Sequence, residues 1–401
     1  MARSRIGVWL IGAKGGVAST AQVGLAALKK GLISNAGLVS QLPQFESLEL
    51  VDWKDLVVGG HEIRDVKLSD EARRMWTESR AIPPELLDKV KPELDKADKL
   101  IRPGTLHNVG PTITALASES CRKLKESPRQ AIERIQADLK AFAADQKLAH
   151  VIVVNVSSTE PAVDPTVFPA KWNDLSKVID KPAKAPLPAS SLYAIATLDL
   201  GYSYLNFTPS LGSSLPAIEE LAQLRGARHM GYDGKTGETL LKSILAPMFA
   251  HRNLHVMSWV GHNIFGNMDG RVLDDPANKA SKVTSKDRLL KDILQYPPQT
   301  LVSIEYIQSM GDWKTAWDHV HFQGFLGTPM TFQFIWQGCD SLLAAPLVLD
   351  LVRFTERAWR AGEVGTLSFL GSFFKSPLGV DNQSFIPQFQ QLEAWASRMT
   401  K

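Results

Sequence analysis

Four segments of the 401-residue chain carry residue types and spacings that suit chemistry on a phosphorylated ligand. GYDGKTGETLLKS (231–243) is a glycine-punctuated loop holding Asp233 and Lys235 and entering a helix, whose first N–H groups would suit a phosphate. GHNIFGNMDG (261–270) is followed by Lys279, Lys282 and Lys286. Lys282 and Lys286 are four apart and share one face if that stretch is helical, where two ammonium groups repel unless an anion joins them. The pattern fits either an anionic substrate or an ordinary solvated face. MGDWKTAWDH (310–319) sets Asp312 and Lys314 after a strand end, a pair that is unspecific alone. GAKGGVAST (12–20) lies between an apolar run and a helical stretch. It either offers N–H groups to a pyrophosphate or is a glycine-rich turn of any α/β protein, and its glycines form no strict GxGxxG.

Other chemistries find less support. His319 and His321 could lie on one side of a strand, and His251 and His255 on one face of a helix. No carboxylate or cysteine joins them at metal-site spacing, so no metal is expected. Ser157, Ser158 and Ser368 lack a GxSxG elbow, and no arginine-rich or base-stacking arrangement suggests nucleic acid. Lys+Arg exceeds Asp+Glu by only 45 to 42, which gives little general pull toward nucleic acid or membrane. At 44% hydrophobic and 22% charged, the chain is globular rather than disordered. Cys121 and Cys339 are too few for a disulfide framework or a thiolate zinc site. No charged start leads into an apolar stretch as in a signal peptide. The longest apolar runs, such as LLAAPLVL (342–349), fall far short of the roughly 20 residues that cross a bilayer. The expectation is a soluble, cytoplasmic protein of two or three structural units.

An α/β framework must position these residues. IGVWLI (6–11) reads as a strand and AQVGLAALKKGLI (21–33) as a helix, followed by apolar and β-branched stretches at 48–52 and 55–63. Ala131, Ile132, Ile135, Leu139, Phe142 and Ala143 recur at helical spacing. HVIVVNV (150–156) then reads as a strand buried on both faces, with SSTE (157–160) at its C-terminal end, where open α/β sheets meet ligands. The proline-rich stretch 161–188 predicts an irregular surface segment, and YSYLNF (202–207) another strand. After about 240, strands at 254–260, 301–307 and 330–336 suggest a second sheet. Apolar helical sequence returns at 341–359, and LSFLGSFFKSPL (367–378) follows. Of the ten tryptophans, six lie after residue 250, which suits core or subunit contacts.

Over nearly its whole length the chain resembles the myo-inositol-1-phosphate synthase family, also called inositol-3-phosphate synthases. GYDGKTGETLLKS stands against the family's GDD-K-SGQTKLKS-like segment. GHNIFGNMDG and SKVTSK (281–286) stand against N-x-x-GNNDG and SKEISK, and GDWKTAWD (311–318) against GDSK-x-A-x-DE. CDSLLAAPLVLDLV (339–352) is close to CEDSLLAxPLxxDL, and FFKSPL (373–378) to FxKAPL. YLNFTPS (204–210) is similar to YINGSPQ, and VVNVSSTE (153–160) to VLWTANTE. Several ordered motifs at compatible spacings make this a specific likeness.

The resemblance implies an NAD-dependent enzyme that converts D-glucose 6-phosphate to 1D-myo-inositol 3-phosphate. In the family, C5 is oxidised, the ketone enolises, an aldol step closes the ring onto C1, and C5 is reduced again. It also implies a Rossmann-like NAD-binding domain begun by residues 1–239 and completed by 344–401. An inserted α+β catalytic and tetramerisation domain would span 240–343, in a homotetramer. By match, Lys282, Lys314, Lys375 and Lys286 are the catalytic lysines, with Asp233 and Asp269 orienting lysines or substrate hydroxyls. Lys282 and Lys375 would serve proton transfer at the C5 oxygen, and Lys314 and Lys286 the phosphate or the developing charge. Gathered ammonium groups ease proton loss from one another and stabilise an enolate oxygen selectively. Thr236, Gly237, Asn263 and Asn267 match substrate-binding positions. Gly12, Gly15, Gly16, Ser19, Thr20, Glu62, Ser158, Thr159 and Asp340 match the cofactor site, where the Glu62 carboxylate would favour NAD over NADP.

This chain departs from the family pattern at several neighbours. Lys14 stands for a glycine, Glu238 for glutamine, Leu240 for lysine, Met268 for asparagine, Trp313 for serine and Phe207 for glycine. A Glu238 that faced the substrate phosphate would repel it, so it must point away or pair with a lysine, or the substrate differs. A related NAD enzyme acting on another sugar phosphate, or forming another cyclitol, is the alternative. An inert nucleotide-binding protein is a third reading, disfavoured by the four matching lysines.

Overall fold

The computed structural model describes residues 4–181, 186–267, 270 and 289–400. Its first sheet has seven parallel strands in the order β11-β6-β5-β4-β1-β2-β3. They are β1 (Arg5–Ile11), β2 (Leu56–Glu62), β3 (Ile101–Pro103), β4 (Leu148–Asn155), β5 (Ser203–Asn206), β6 (Arg228–Gly231) and β11 (Gly365–Thr366). The unbroken apolar run of β1 is explained by two covered faces, because alternate side chains point opposite ways. Ile6, Val8 and Leu10 join one cluster with residues of helices Gly16–Lys29 and Asp340–Arg360. Trp9 and Ile11 join the other, with helices Pro128–Asp145, Ala189–Asp199 and Pro216–Arg225. The strand order reverses between β1 and β4, and the C-terminal ends of those strands meet there. This is the topological switch point at which open α/β sheets take ligands.

The C-terminal part of the chain is tied back to the first by buried polar contacts. Asp350 accepts the N–H groups of Val39 and Ser40 at 2.8 and 2.9 Å. Arg353 donates to Val51 O at 3.0 Å, and its guanidinium lies 4.3 Å from the Trp53 ring centre.

The second sheet has the order β10-β9-β7-β8. It comprises β7 (His255–Phe265), β8 (Gln299–Tyr306), β9 (Trp313–Gln323) and β10 (Pro329–Cys339). One face packs Val256, Trp259 and Val320 against Phe249 of helix Gly237–His251 and against Leu290. The opposite face carries Trp317, 36% exposed, beside Ile335, 71% exposed, and Leu301, 52% exposed. The β9–β10 connection ends in Phe325 and Leu326, both strongly exposed.

Several expectations need correction. The first helix begins at Gly16, inside the glycine segment, because Gly15 already occupies its N-cap. Of the two apolar and β-branched stretches, 55–63 supplies β2, whereas residues 49–52 link two short 3-10 helices. Helix Trp172–Val178 interrupts the proline-rich stretch expected to be irregular. Residues 313–323, whose polar side chains hid their alternation, form β9, with His319 and His321 indeed on one side. His251 and His255 do not share a helix, since the helix ends at His251 and β7 begins at His255.

Candidate active site and dinucleotide cavity

The C-terminal ends of β1, β2, β4, β5 and β6 open onto a cavity of about 240 Å³. Its floor is the turn after β1. Gly12 and Ala13 both donate their N–H to His61 O, at 2.9 and 3.0 Å, and Gly15 N–H returns to Gly12 O at 2.9 Å. Gly12 has φ +77°, and a Cβ there would sit 2.8 Å from Ser157 Cα, so only glycine lets β1 and β4 converge. The helix from Gly16 starts with no side-chain cap and no acid in its first turn, which leaves N–H groups and a positive dipole end free for an anion. Gly12, Gly15, Gly16, Glu62, Ser158, Thr159 and Asp340 line the cavity. Ser19 and Thr20 do not: they are buried in the helix, and their hydroxyls have no hydrogen-bond partner among the described residues.

Glu62, at the end of β2, is tightly held. Its Oε1 accepts the N–H groups of Ile63 and Arg64 at 2.9 and 3.1 Å, its Oε2 that of Lys14 at 2.8 Å, and Arg64 Nε approaches Oε1 at 3.3 Å. The Lys14 ammonium turns away to Asp98 at 2.7 Å and to Val66 O. An uncapped glycine turn with a carboxylate fixed at the adjacent strand end fits a dinucleotide such as NAD. Gly12, Gly15 and Gly16 would take its pyrophosphate and Glu62 a ribose.

The opposite wall carries Asp233 and Lys375. After β6, backbone pairing between 232–235 and 373–376 fixes Lys375 beside Asp233. Tyr232 and Ser376 exchange N–H···O bonds at 3.0 and 3.2 Å, and Lys375 N–H reaches Asp233 O at 2.6 Å. The Lys375 ammonium then lies 2.9 Å from Asp233 Oδ1, with both residues in the cavity wall. Thr236 and Asn267 also line it, and Asn267 Oδ1 accepts Gly270 N–H at 2.9 Å. Gly237 and Asn263 stand outside the wall. Asn263 is fully buried in β7, and neither atom of its side-chain amide is hydrogen-bonded to a described residue. Lys314 is likewise off the wall, its ammonium 5.3 Å from the Phe265 ring centre. Lys282, Lys286 and Asp269 lie outside the described residues, as do Lys279 and Met268.

Three lining residues escaped sequence reasoning as site members. Asp312 accepts Ser341 N–H at 2.7 Å, Ser341 Oγ at 2.8 Å and Cys339 Sγ at 2.9 Å, beside Gly16, where two helix starts meet. Burial pushes its carboxyl up despite those donors. The signal was present in the GDWK segment. Glu160, last of SSTE, accepts Ser190 N–H at 2.9 Å and Ser190 Oγ at 2.5 Å. Burial raises it to about 7 against those hydrogen bonds. His61 receives Trp9 Nε1–H at 2.8 Å and faces Asp138 at 3.0 Å, and burial lowers it even so.

Glu238 is paired. It lies 2.5 Å from Lys242, which is also 3.4 Å from Asp318, and all three are almost fully buried off the cavity wall. Burial opposes the Lys242 ammonium, but Glu238 and Asp318 outweigh it and raise its pKa. Phe207, by contrast, does line the cavity, and its ring fills the space that a Cβ on Gly234 would need, 2.2 Å away. Among the described residues no group of three His, Cys, Asp or Glu could hold a metal ion. None of the described helices is long and apolar enough to cross a membrane.

Comparison with known proteins agrees with this geometry. The family model described as myo-inositol-1-phosphate synthase, an NAD-binding family, matches residues 6–397. An inositol-3-phosphate synthase of Bacteroides thetaiotaomicron is 31% identical, with 94% of this chain and 90% of that protein covered. An inositol-3-phosphate synthase of Spirodela polyrhiza is 28% identical over 89% of this chain and 75% of its own length. Among solved structures, a myo-inositol-1-phosphate synthase-related protein of Thermotoga maritima superposes with a TM-score of 0.81 at 25% identity, covering 98% of each chain. The inositol-3-phosphate synthase of Caenorhabditis elegans gives 0.87 at 24% identity, covering 99% of this chain and 86% of its own.

Proposed function

The chain belongs to the myo-inositol-1-phosphate synthase family, and from that premise we propose that it cyclises D-glucose 6-phosphate to 1D-myo-inositol 3-phosphate with NAD. The observation that carries the proposal is the Lys375–Asp233 pair, 2.9 Å apart in the wall of the cavity that the glycine turn floors. NAD, held by the glycine turn and Glu62, would supply a reversible hydride acceptor for C5, which would leave the net reaction an isomerisation. Lys375, oriented by Asp233, moves the proton at the C5 oxygen together with Lys282. Lys314 and Lys286 engage the phosphate or the charge that develops on enolisation and aldol closure. Val109, Ile113, Leu116 and Phe207 give the cavity an apolar lining that limits water.

The test is an assay of purified protein with glucose 6-phosphate and no added dinucleotide, with product identity read by phosphorus NMR. Inositol phosphate without net NADH is expected, and Lys375→Met should lower its rate by about a hundredfold or more. Net NADH with no inositol phosphate would overturn the reading. A second reading, turnover of another sugar phosphate, rests on Phe207 in the wall, and a substrate panel in the same assay separates the two.

The division into 1–239 with 344–401, and 240–343 as an insertion, belongs to the same proposal. It is supported by first-sheet strands drawn from 5–231 and 365–366 and second-sheet strands drawn from 255–339. The exposed Trp317–Ile335 face and the Phe325–Leu326 tip support a homotetramer, and a monomeric mass by light scattering would exclude it. Two buried, unpaired cysteines support a cytoplasmic location, which cell fractionation would test.

A further inference from the structure

We propose that Trp313 is a clamp that keeps the dinucleotide cavity shut, so that NAD remains bound from one turnover to the next; this rests on the NAD reading above. One stretch of the cavity wall is made by Met75, Glu78 and Ser79, in the last turn of helix Leu68–Ser79, and by Gly311 and Asp312, just before β9. The helix packs with helix Gly16–Lys29 beside the first sheet, whereas β9 belongs to the second. The wall is therefore a seam between two parts of the molecule, and three contacts close it. The Trp313 indole N–H donates to Ser79 O at 2.7 Å. Asp312 N–H donates to Ser79 Oγ at 2.8 Å. Gly311 comes so close that a Cβ there would lie 2.5 Å from Ser79 Oγ and 3.0 Å from Glu78 O.

Ser79 O is one of the last carbonyls of its helix, which lack intrahelical partners, so the indole N–H fills a real vacancy. The family pattern has serine at this position, and a serine hydroxyl stops one bond beyond Cβ, so this stitch belongs to the tryptophan. Trp313 is 38% exposed and lies over the seam rather than inside a core, so replacing it perturbs the seam more than the fold. Tight closure has a chemical use here. The reduced cofactor must be present when the closed ring awaits reduction at C5, and its escape would strand an oxidised intermediate.

The experiment follows NAD itself. Protein loaded with NAD is passed through gel filtration and the retained dinucleotide is measured, and the dissociation rate is read by displacement with a fluorescent NAD analogue. Trp313→Phe removes the N–H and keeps a ring; dissociation on the order of five-fold faster is expected from the loss of one hydrogen bond. Trp313→Ser should lose NAD tenfold faster or more, with turnover that falls without added NAD and recovers as NAD is supplied. Melting of the apo proteins separates a loosened seam from a damaged fold. If wild type makes inositol phosphate and both variants hold NAD as it does, the clamp is wrong and the function stands. If the variants lose NAD but wild type makes no inositol phosphate, the clamp stands and the function falls. If wild type binds no NAD, both fall.

Discussion

Replacing Glu160 with glutamine should stabilise the protein at neutral pH and leave it unchanged in acid. The carboxyl is buried in the loop after β4, and burial outweighs its hydrogen bonds from Ser190 and Ser210, carrying it from the ordinary 4.5 to about 7. At about 1.4 kcal/mol per pH unit, that displacement is worth about 3 kcal/mol. The sign follows from proton counts. Between pH 4.5 and about 7 the folded state keeps a proton that the unfolded chain has released, so stability falls as pH rises through that window. The deficit is absent below 4.5 and complete above 7. Glutamine has no proton to lose, and its amide can meet Ser190 as the neutral acid does: the carbonyl accepts Ser190 N–H and the NH₂ donates to Oγ. Asp350, raised to about 6 by burial, tilts both proteins alike and cancels in the comparison. The assay is urea unfolding of wild type and Glu160→Gln from pH 4.5 to 8. The difference should grow from near zero to about 3 kcal/mol in favour of the variant. Parallel stability curves across the range would mean that Glu160 is ionised throughout and that burial does not govern it.

Two further substitutions probe the departures from the family pattern. Lys242→Met takes away the buried ammonium that faces the Glu238 and Asp318 carboxylates and should cost about 3–5 kcal/mol in urea unfolding, whereas Glu238→Gln leaves Lys242 an acceptor and should cost about 1 kcal/mol or less. Gly234→Ala forces a methyl into the Phe207 ring and should cost about 1–3 kcal/mol, and adding Phe207→Ala should recover at least half of that, read by the same unfolding curves.

Much of the fold was legible because its signals are local. A continuous apolar run at 6–11 needs two covered faces, and β1 has them. The helical spacing from Ala131 to Phe142 matches helix Pro128–Asp145, whose capping box at Ser127 and Gln130 fixes its start. What sequence pattern missed depends on distant pairing. β9 hides its alternation because its buried face carries Asp318 while Trp313 and Trp317 stand on the exposed face, and only its neighbours β7 and β10 make it a strand. The site divides in the same way. The glycine turn is a contiguous motif and could be read directly. Lys375 and Asp233 are 142 residues apart and meet only through the short backbone pairing that joins their segments, so their partnership was visible through family resemblance alone. Asp312 was in view but unweighted, because its meaning comes from two helix starts that converge on Gly16.

The departures sort themselves by where their side chains end. Lys14 sends its ammonium out to Asp98, Glu238 neutralises Lys242 away from the cavity, and Trp313 reaches Ser79 across the seam. Each introduces a charge or a donor and satisfies it against protein, so none alters the charge that a bound sugar phosphate would meet. Phe207 is different. It is the one of these described departures that lines the cavity, and Gly234 has no Cβ, which leaves room for the ring. An aromatic wall next to the Asp233–Lys375 pair removes volume and water while leaving the pair in place. The proposed function therefore assigns chemistry and specificity to different residues in this cavity. Altered specificity, if the substrate panel finds it, should respond to position 207 while Lys375 remains indispensable to every substrate turned over.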